Sequence, residues 1–162
     1  MLASVALLVL AHGAQAAAQE LKIGFVSTER VFREAVPAVE AMKRLEEEFK
    51  PREDEIKKIN EEARAIQLQL EKESMTMSAS ERRKSESELG RLSRERQRLE
   101  REFREELNLR KNEELAAVLQ RANKVIQAIA EKEKYDLILQ EAVYRSPRLD
   151  ITDKVIEALS EK

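Results

Sequence analysis

The pattern of apolar and polar positions changes its period twice along this chain. Near the start, Leu21, Ile23 and Phe25 alternate with other residues, which is the period of a half-buried β-strand. Near the end the same period returns in residues 135–139, and residues 142–144 offer a third short strand, so this end predicts a β-hairpin. Short strands are therefore expected at both ends, with a different structure between them.

Between these strands the apolar positions follow the period of an α-helix. They form a heptad seam that consists of Ala38, Met42, Leu45, Phe49, Ile56, Ile59, Ala63, Ile66, Leu70 and Met77. Arg52 and Glu73 occupy core positions of this seam, so it is imperfect. Pro51 removes one helix hydrogen bond. Because the register continues unchanged on both sides of Pro51, we predict a kink there that acts as a hinge and not the end of the helix.

A polar break at residues 74–80 predicts that the helical chain turns back on itself. Ser78 and Glu81 have the S-x-x-E form of a capping box, which starts a new helix. The returning helix carries a second apolar pattern with a stutter near its middle, at Leu89, Leu92, Leu99, Phe103, Leu107, Leu115, Val118, Ala122, Val125 and Ile129. The outgoing arm has three more acidic than basic residues and the returning arm three more basic than acidic, which favours their pairing.

Capping residues mark two shorter helices near the chain ends. Ser27 or Thr28 can cap a helical turn after the first strand, and Asp150 or Thr152 can cap a terminal helix. The inward face of that terminal helix is predicted to carry Val155, Ile156 and Leu159.

The predicted fold class is α+β and mostly helical, with a small sheet built from both chain ends. Residues 19–36 and 135–162 form the body, which contains the first strand with its short helix and then the β-hairpin with the terminal helix. Residues 37–134 form one long antiparallel helical hairpin inserted between the two parts of the body, with its tip near residues 74–80.

The first 18 residues are predicted to be a cleaved signal peptide. Leu2–Ala11 is apolar except for Ser4, and small residues with two A-x-A matches follow it, Ala14–Ala16 and Ala16–Ala18. The run has about half of the roughly 20 residues that a membrane-spanning helix needs. Export through the inner membrane is therefore expected, and the cleavage position stays open between the two matches.

Composition argues against an enzyme. The chain has no cysteine, and His12, its one histidine, falls in the predicted signal peptide, so imidazole bases, thiolate nucleophiles and Cys/His metal sites are not expected in the mature protein. We predict no catalytic residues, no metal and no cofactor. The interleaved charges and the lack of aromatic platforms on the arms also argue against a nucleic-acid partner.

The predicted body is too small to form a stable core alone. It holds 18 residues from the first part and 28 from the second, with little aromatic bulk, and it leaves sheet edges unpaired. Association of several bodies through Ile23, Phe25, Leu137 and Leu139 would bury these faces together. We therefore expect a homo-oligomer, whose stoichiometry the residues alone do not give.

Three local strings, in this order and with a charged hairpin between them, resemble the Skp/OmpH family of periplasmic chaperones. The strings are Lys22-Ile23-Gly24-Phe25-Val26 with Arg30-Val31-Phe32, then Tyr135-Asp136-Leu137-Ile138-Leu139, then Leu149-Asp150-Ile151-Thr152 with Val155-Ile156-Glu157-Ala158-Leu159. The resemblance covers residues 19–162. It implies a jellyfish-shaped trimer in the periplasm, whose helical arms enclose unfolded outer-membrane β-barrel proteins without ATP and prevent their aggregation.

In this interpretation the client meets apolar residues on the inner arm surfaces, with Met75, Met77, Leu89 and Leu92 as candidates. The other role open to these four residues is to seal the hairpin seam. The alternative function is a structural coiled-coil adaptor of the cell envelope without chaperone activity.

Well-known members of the family that this chain resembles are strongly basic, whereas this chain has a net charge of −2. Contact of the arm tips with lipid or lipopolysaccharide is therefore expected to be weak. The residues available for such a basic tip are Arg82, Arg83, Lys84, Arg91 and Arg94.

Overall fold

The computed structural model describes residues 20–73 and 75–161, so the predicted signal peptide at residues 1–18 lies outside the described residues. The elements follow in this order: strand β1 (Ile23–Phe25), helix α1 (Thr28–Glu34), helix α2 (Val36–Glu73), helix α3 (Ala79–Glu133), strand β2 (Leu137–Leu139), a 3-10 turn (Pro147–Leu149) and helix α4 (Thr152–Ser160). The predicted α+β, mostly helical organisation is confirmed.

The sheet pairs one strand from each end of the chain, and the two strands run parallel. Ile23 lies beside Leu137 and Phe25 beside Leu139. The Val26 N–H extends this ladder by donating to the Leu139 carbonyl at 2.9 Å. Parallel strands cannot be joined by a tight turn and need a long crossover. In this chain α1 and the whole α2–α3 hairpin form that crossover.

The predicted C-terminal β-hairpin is wrong. Residues 142–144 form no strand, and the other edge of β1 is met by Asp150 in an isolated parallel bridge with Phe25. The Ile151 N–H donates to the Phe25 carbonyl at 2.9 Å beside it. Gln140 and Glu141, which follow β2, lack the glycine or asparagine that a two-residue hairpin turn requires. The chain therefore runs on in an extended loop to the 3-10 turn.

Gly24 lets the strand β1 approach the rest of the body closely. A Cβ at this position would lie 3.2 Å from the Tyr135 ring and 3.3 Å from Ile151 Cδ1. Tyr135 reaches this place because Lys134 ends α3 in the left-handed region, with φ of 58°. A side chain larger than hydrogen at residue 24 would push these neighbours away from the strand.

The body and the base of the hairpin share one hydrophobic core. It is formed by residues with at most 7% exposure, namely Val26, Val31, Ala35, Ala38, Ala41, Val118, Ala122, Ile151, Val155 and Leu159. Several are alanines, which allow α1, α2 and α3 to approach closely at the base. Val155 and Leu159 are buried and Ile156 half-buried, so the predicted inward face of α4 is confirmed.

The predicted side-chain cap is found at α1 but not at α4, whose N-cap residue is Ile151, a hydrocarbon side chain that accepts no hydrogen bond. Ser27 caps α1, where its hydroxyl accepts a hydrogen bond from the Arg30 N–H at 3.3 Å. At α4 the Asp150 carboxylate accepts from the Thr152 N–H at 2.9 Å. The Thr152 hydroxyl in turn accepts from the Ser27 N–H at 2.9 Å and so joins the starts of the two helices.

Helices α2 and α3 form the predicted antiparallel hairpin. At 1.5 Å per residue, the 38 residues of α2 extend about 57 Å and the 55 residues of α3 about 80 Å. Helix α2 continues through Pro51, as expected from the unbroken register. At the tip, Ser78 and Glu81 form the predicted capping box, in which each side chain accepts a hydrogen bond from the other residue's N–H.

Candidate functional site: the sheet face and the helical arm

One face of the sheet is packed inside the protein and the other is open. Successive side chains of a strand point to opposite faces. Gly24 and its neighbour Ile138 therefore share the inner face, and Ile138 packs against the core of the body. The register of the strands places the predicted oligomer residues on the outer face, namely Ile23, Phe25, Leu137 and Leu139.

The four residues of this outer face differ in exposure. Leu137 is 49% exposed and Leu139 39%, although both are leucines within a strand. Phe25 is buried within the single chain, where the guanidinium of Arg145 lies 4.3 Å from its ring centre. Ile23 is intermediate. The open part of the face is thus the β2 side.

The loop after β2 adds further apolar surface to this side of the body. Val143 and Tyr144 are almost fully exposed. Exposed leucines in a two-stranded sheet, followed in the chain by an exposed valine and tyrosine, are the kind of apolar surface that marks an interaction site.

We define the proximal arm as residues 41–52 of α2 with 103–118 of α3. Its two helices are joined by side-chain contacts between them. Phe49 is buried and meets Phe103 edge to face, with ring centres 5.6 Å apart. Three ion pairs connect α2 to α3 here, namely Arg44 with Glu114 at 3.1 Å, Glu48 with Arg110 at 3.3 Å, and Arg52 with Glu106.

Arg52 explains how a charge can occupy a core position of the seam. Its guanidinium lies 5.5 Å from the Phe49 ring centre and donates to the Glu106 carboxylate. This hydrogen bond lowers the pKa of Glu106 below its ordinary value and raises the pKa of Arg52. The pKa of Arg110 is also raised, first by its hydrogen bond to Glu48. The charged position therefore connects the helices where a hydrophobic seam residue was expected.

The distal arm, residues 53–102 around the tip, is fastened differently. Within its described residues every ion pair joins two positions of the same helix, such as Arg91 with Glu88 and Arg98 with Glu102. Ile59, Ala63 and Leu92 form a small buried cluster, and Ile66, Leu89 and Leu99 pack around it. A cavity of about 200 Å³ separates this cluster from the proximal arm, between Ile56, Leu99 and Phe103.

The predicted client-facing residues have different surroundings. Met75 is 98% exposed at the tip. Met77 is half-buried and lines an open tip cavity of about 440 Å³ with Ile66 and Lys84. Leu92 is only 2% exposed and belongs to the seam, as Leu89 does in part. Of the two roles considered, sealing therefore applies to Leu92 in the closed hairpin.

Several exposed apolar residues were not singled out from the sequence. Leu68 and Leu109 lie on the arms with 43% and 58% exposure, and Val36 and Val39 lie at the start of α2 with 45% and 51%. They fall outside the heptad seam, and an off-seam leucine in a charged helix is the signal that could have identified them.

The basic residues near the tip are partly neutralised by their own helix. Arg82 pairs with Glu86 at 3.0 Å, and Arg91 pairs with Glu88 and Glu95. The Arg91 hydrogen bond lowers the pKa of Glu88. Arg83, Lys84 and Arg94 form no ion pair within the part of the chain that the structure describes. The tip thus offers fewer free cations than its sequence contains.

Within residues 20–73 and 75–161, acidic side chains form no group that could hold a metal ion. No helix in these residues is long and apolar enough to cross a membrane.

Comparisons with known proteins agree with this architecture. An OmpH-like outer membrane chaperone from Caulobacter crescentus has a similar fold, with a TM-score of 0.71 at 19% sequence identity, over 88% of this chain and 86% of that one. No curated protein sequence matches the chain. The model of the family described as outer membrane protein (OmpH-like) matches residues 22–159. The chain therefore belongs to the OmpH-like family.

Proposed function

We propose that this protein is an ATP-independent holding chaperone of the periplasm, which binds unfolded outer-membrane β-barrel proteins between its helical arms and prevents their aggregation. The observation that carries the proposal is the arm itself. Two helices and the turn that joins them extend far beyond the shared core and expose Leu68, Met75 and Leu109 to water. Such scattered apolar contacts suit an unfolded client, which offers many weak sites and no fixed shape.

The arms need an assembly that gathers them around a cavity. In our proposal the chain forms a homotrimer through the outer sheet face, where Ile23, Leu137 and Leu139 meet their equivalents in neighbouring copies. Phe25, already buried under Arg145, supports this face from within its own chain. Burying leucines that are 39% and 49% exposed would give each body the apolar contacts that a small core lacks.

The arms also need to open to different widths. Pro51 lies between the aromatic pair of the proximal arm and the cavity at the start of the distal arm. Its ring leaves the carbonyl four residues earlier without its helix donor. We propose that the arm bends at Pro51, so that the distal arm moves while the proximal arm keeps its ion pairs.

Weak contact with anionic lipid or lipopolysaccharide at the tip is a further part of the proposal. Arg83 and Lys84 carry the charge for it, and the exposed Met75 could enter the lipid interface beside them.

The chaperone role is tested by diluting a urea-denatured outer-membrane β-barrel protein into buffer and following light scattering. We expect this protein to suppress scattering at stoichiometric amounts without ATP. Undiminished aggregation would reject the role and favour a structural coiled-coil adaptor of the envelope.

The assembly is tested by sedimentation equilibrium. The double variant Leu137→Glu with Leu139→Glu should dissociate the trimer, because it places charges on the proposed interface. Leu68→Glu with Leu109→Glu on the arm is the matched control, since it adds the same two charges at exposed leucines and should leave the mass unchanged. A monomeric unaltered protein would contradict this part of the proposal.

A further inference from the structure

A shallow groove runs between α3 and α4 on the body, away from the sheet and from the arm tip. Its volume is about 330 Å³. The apolar residues that line it are Val125, Ala128, Ile129 and Ala158. Ala128 is exposed and the other three are half-buried. The groove contains none of the outer-face residues proposed for assembly.

The charged residues around the apolar floor of the groove, which Val125, Ala128, Ile129 and Ala158 form, are mostly positive. Arg121, Lys124 and Lys132 line the groove, and Glu161 is the one carboxylate among the lining residues. None of the three cations forms an ion pair within residues 20–73 and 75–161. By contrast, Lys154 on the neighbouring α4 is held by Glu133 at 2.6 Å. The groove thus combines an apolar floor with a rim that carries an excess of positive charge.

The positions of the lining residues define a straight path along α3. Arg121, Lys124, Ala128 and Lys132 follow one another at steps of three or four, so they share one helix face. Arg121 and Lys132 are eleven positions apart, which is about 16 Å or three helical turns. Small-molecule sites enclose most of their ligand, whereas a shallow straight groove of this length suits a helix that lays its apolar face into it.

The geometry points to a docking site for an acidic amphipathic helix of a partner protein. The apolar face of that helix packs on Val125, Ala128 and Ile129, and its carboxylates pair with the three rim cations. A second copy of this chain offers no such helix in its described residues, because α4 buries its apolar face in its own body and α2 and α3 bury theirs in the hairpin.

The test measures binding of a synthetic helical peptide about 16 residues long, with leucine on one face and glutamate on both flanks, by fluorescence anisotropy on the intact purified protein. The matched peptide carries glutamine in place of glutamate. We expect the glutamate peptide to bind at least about tenfold more tightly than the glutamine peptide, with an affinity that falls as salt increases.

Two variants locate the binding. Lys124→Glu with Lys132→Glu reverses the rim charge, and Ala128→Trp fills the groove. Each change should lower the affinity for the glutamate peptide at least about tenfold. The control Lys72→Glu with Lys111→Glu makes the same charge change at exposed lysines of the arm and should bind as the unaltered protein does. All variants change exposed residues, and unchanged helical circular dichroism and suppression of barrel aggregation show that fold and chaperone role are intact.

Equal binding of the two peptides, no binding, or binding that survives both groove variants would overturn the inference. Loss of self-association in the rim variant would assign the groove to a second copy instead. Displacement of the peptide by phosphatidylglycerol vesicles, but not by phosphatidylcholine vesicles, would assign it to a membrane surface.

Discussion

The proximal and distal parts of the arm are both rich in charged residues, but different contacts join their two helices. In the proximal arm, charged residues reach across to the other helix, and Phe49 and Phe103 close the seam. In the distal arm, charged residues pair along their own helix, and three buried side chains around Leu92 form the contact. Charges that pair along one helix stabilise that helix but do not hold two helices together. We therefore propose that the base stays closed while the outer part separates.

The largest expected effect comes from the proximal seam. Phe49→Ala removes a buried ring and its edge-to-face partner contact, so we expect the free energy of unfolding to fall by about 3 kcal/mol. Urea denaturation followed by circular dichroism measures this. Leu109→Ala on the same arm is the control, because its exposed side chain should change the free energy by less than about 0.5 kcal/mol. Equal effects of the two variants would contradict a sealed base.

A change in the distal cluster should act locally. Leu92→Ala leaves a cavity against Ile59 and Ala63, and we expect it to cost about 2 kcal/mol of the free energy that keeps the distal helices together. Amide hydrogen exchange should accelerate in the distal arm and stay unchanged in the proximal arm. The control Leu68→Ala, at an exposed leucine, should leave amide exchange unchanged in both parts of the arm. Acceleration along the whole arm would show that the two halves open as one unit.

A smaller effect is expected from the ion pairs. Arg110→Met removes a guanidinium that connects α3 to Glu48 and also pairs with Glu113 and Glu114 of its own helix, and it should lower the melting temperature slightly, by an amount that decreases with added salt. Arg98→Met removes a pair within α3 and should preserve the contact between the helices. The two variants are compared by the exchange rates of proximal amides. If the proximal amides exchanged faster in Arg98→Met than in Arg110→Met, the ion pair between the helices would not be the one that holds them together.

The smallest effect is the pH response of the proximal arm. The hydrogen bond from Arg52 lowers the pKa of Glu106 below its ordinary value of 4.5. Because the folded-state pKa is depressed, the stabilisation is fully present above pH 4.5 and is lost as pH falls through the lowered pKa. Carboxyl NMR titration should show the Glu106 pKa returning towards 4.5 in Arg52→Met, with Glu88 unchanged as the control. A Glu106 pKa at its ordinary value in the unaltered protein would contradict the hydrogen bond between Arg52 and Glu106.

The sequence was most informative where the structure is local and periodic. The heptad positions of Leu45, Phe49, Ile59 and Ala63 are buried, and the capping box at Ser78 starts α3 as expected. Periodicity and caps depend on neighbours within a few residues, so one sequence contains enough information to predict them.

The parallel pairing of the strands could not be predicted from such local patterns. Alternation identifies a strand but not its partner or direction, and the short apolar run at residues 142–144 does not form a strand. The cross-helix role of Arg52 was also hidden, because its partner Glu106 is 54 positions away. The apolar floor between α3 and α4 likewise depends on how two distant helices pack.

We propose that the distal arm opens for a client while the proximal arm stays closed. Hydrogen exchange read by mass spectrometry, on the intact protein alone and with a urea-denatured outer-membrane barrel protein added, tests it most directly. We predict faster exchange at residues 56–66 and 89–99 than at 41–49 and 103–118 without client, and a change on client addition confined to the distal residues. Uniform exchange along the arm, or a change that begins at the proximal residues, would contradict the account.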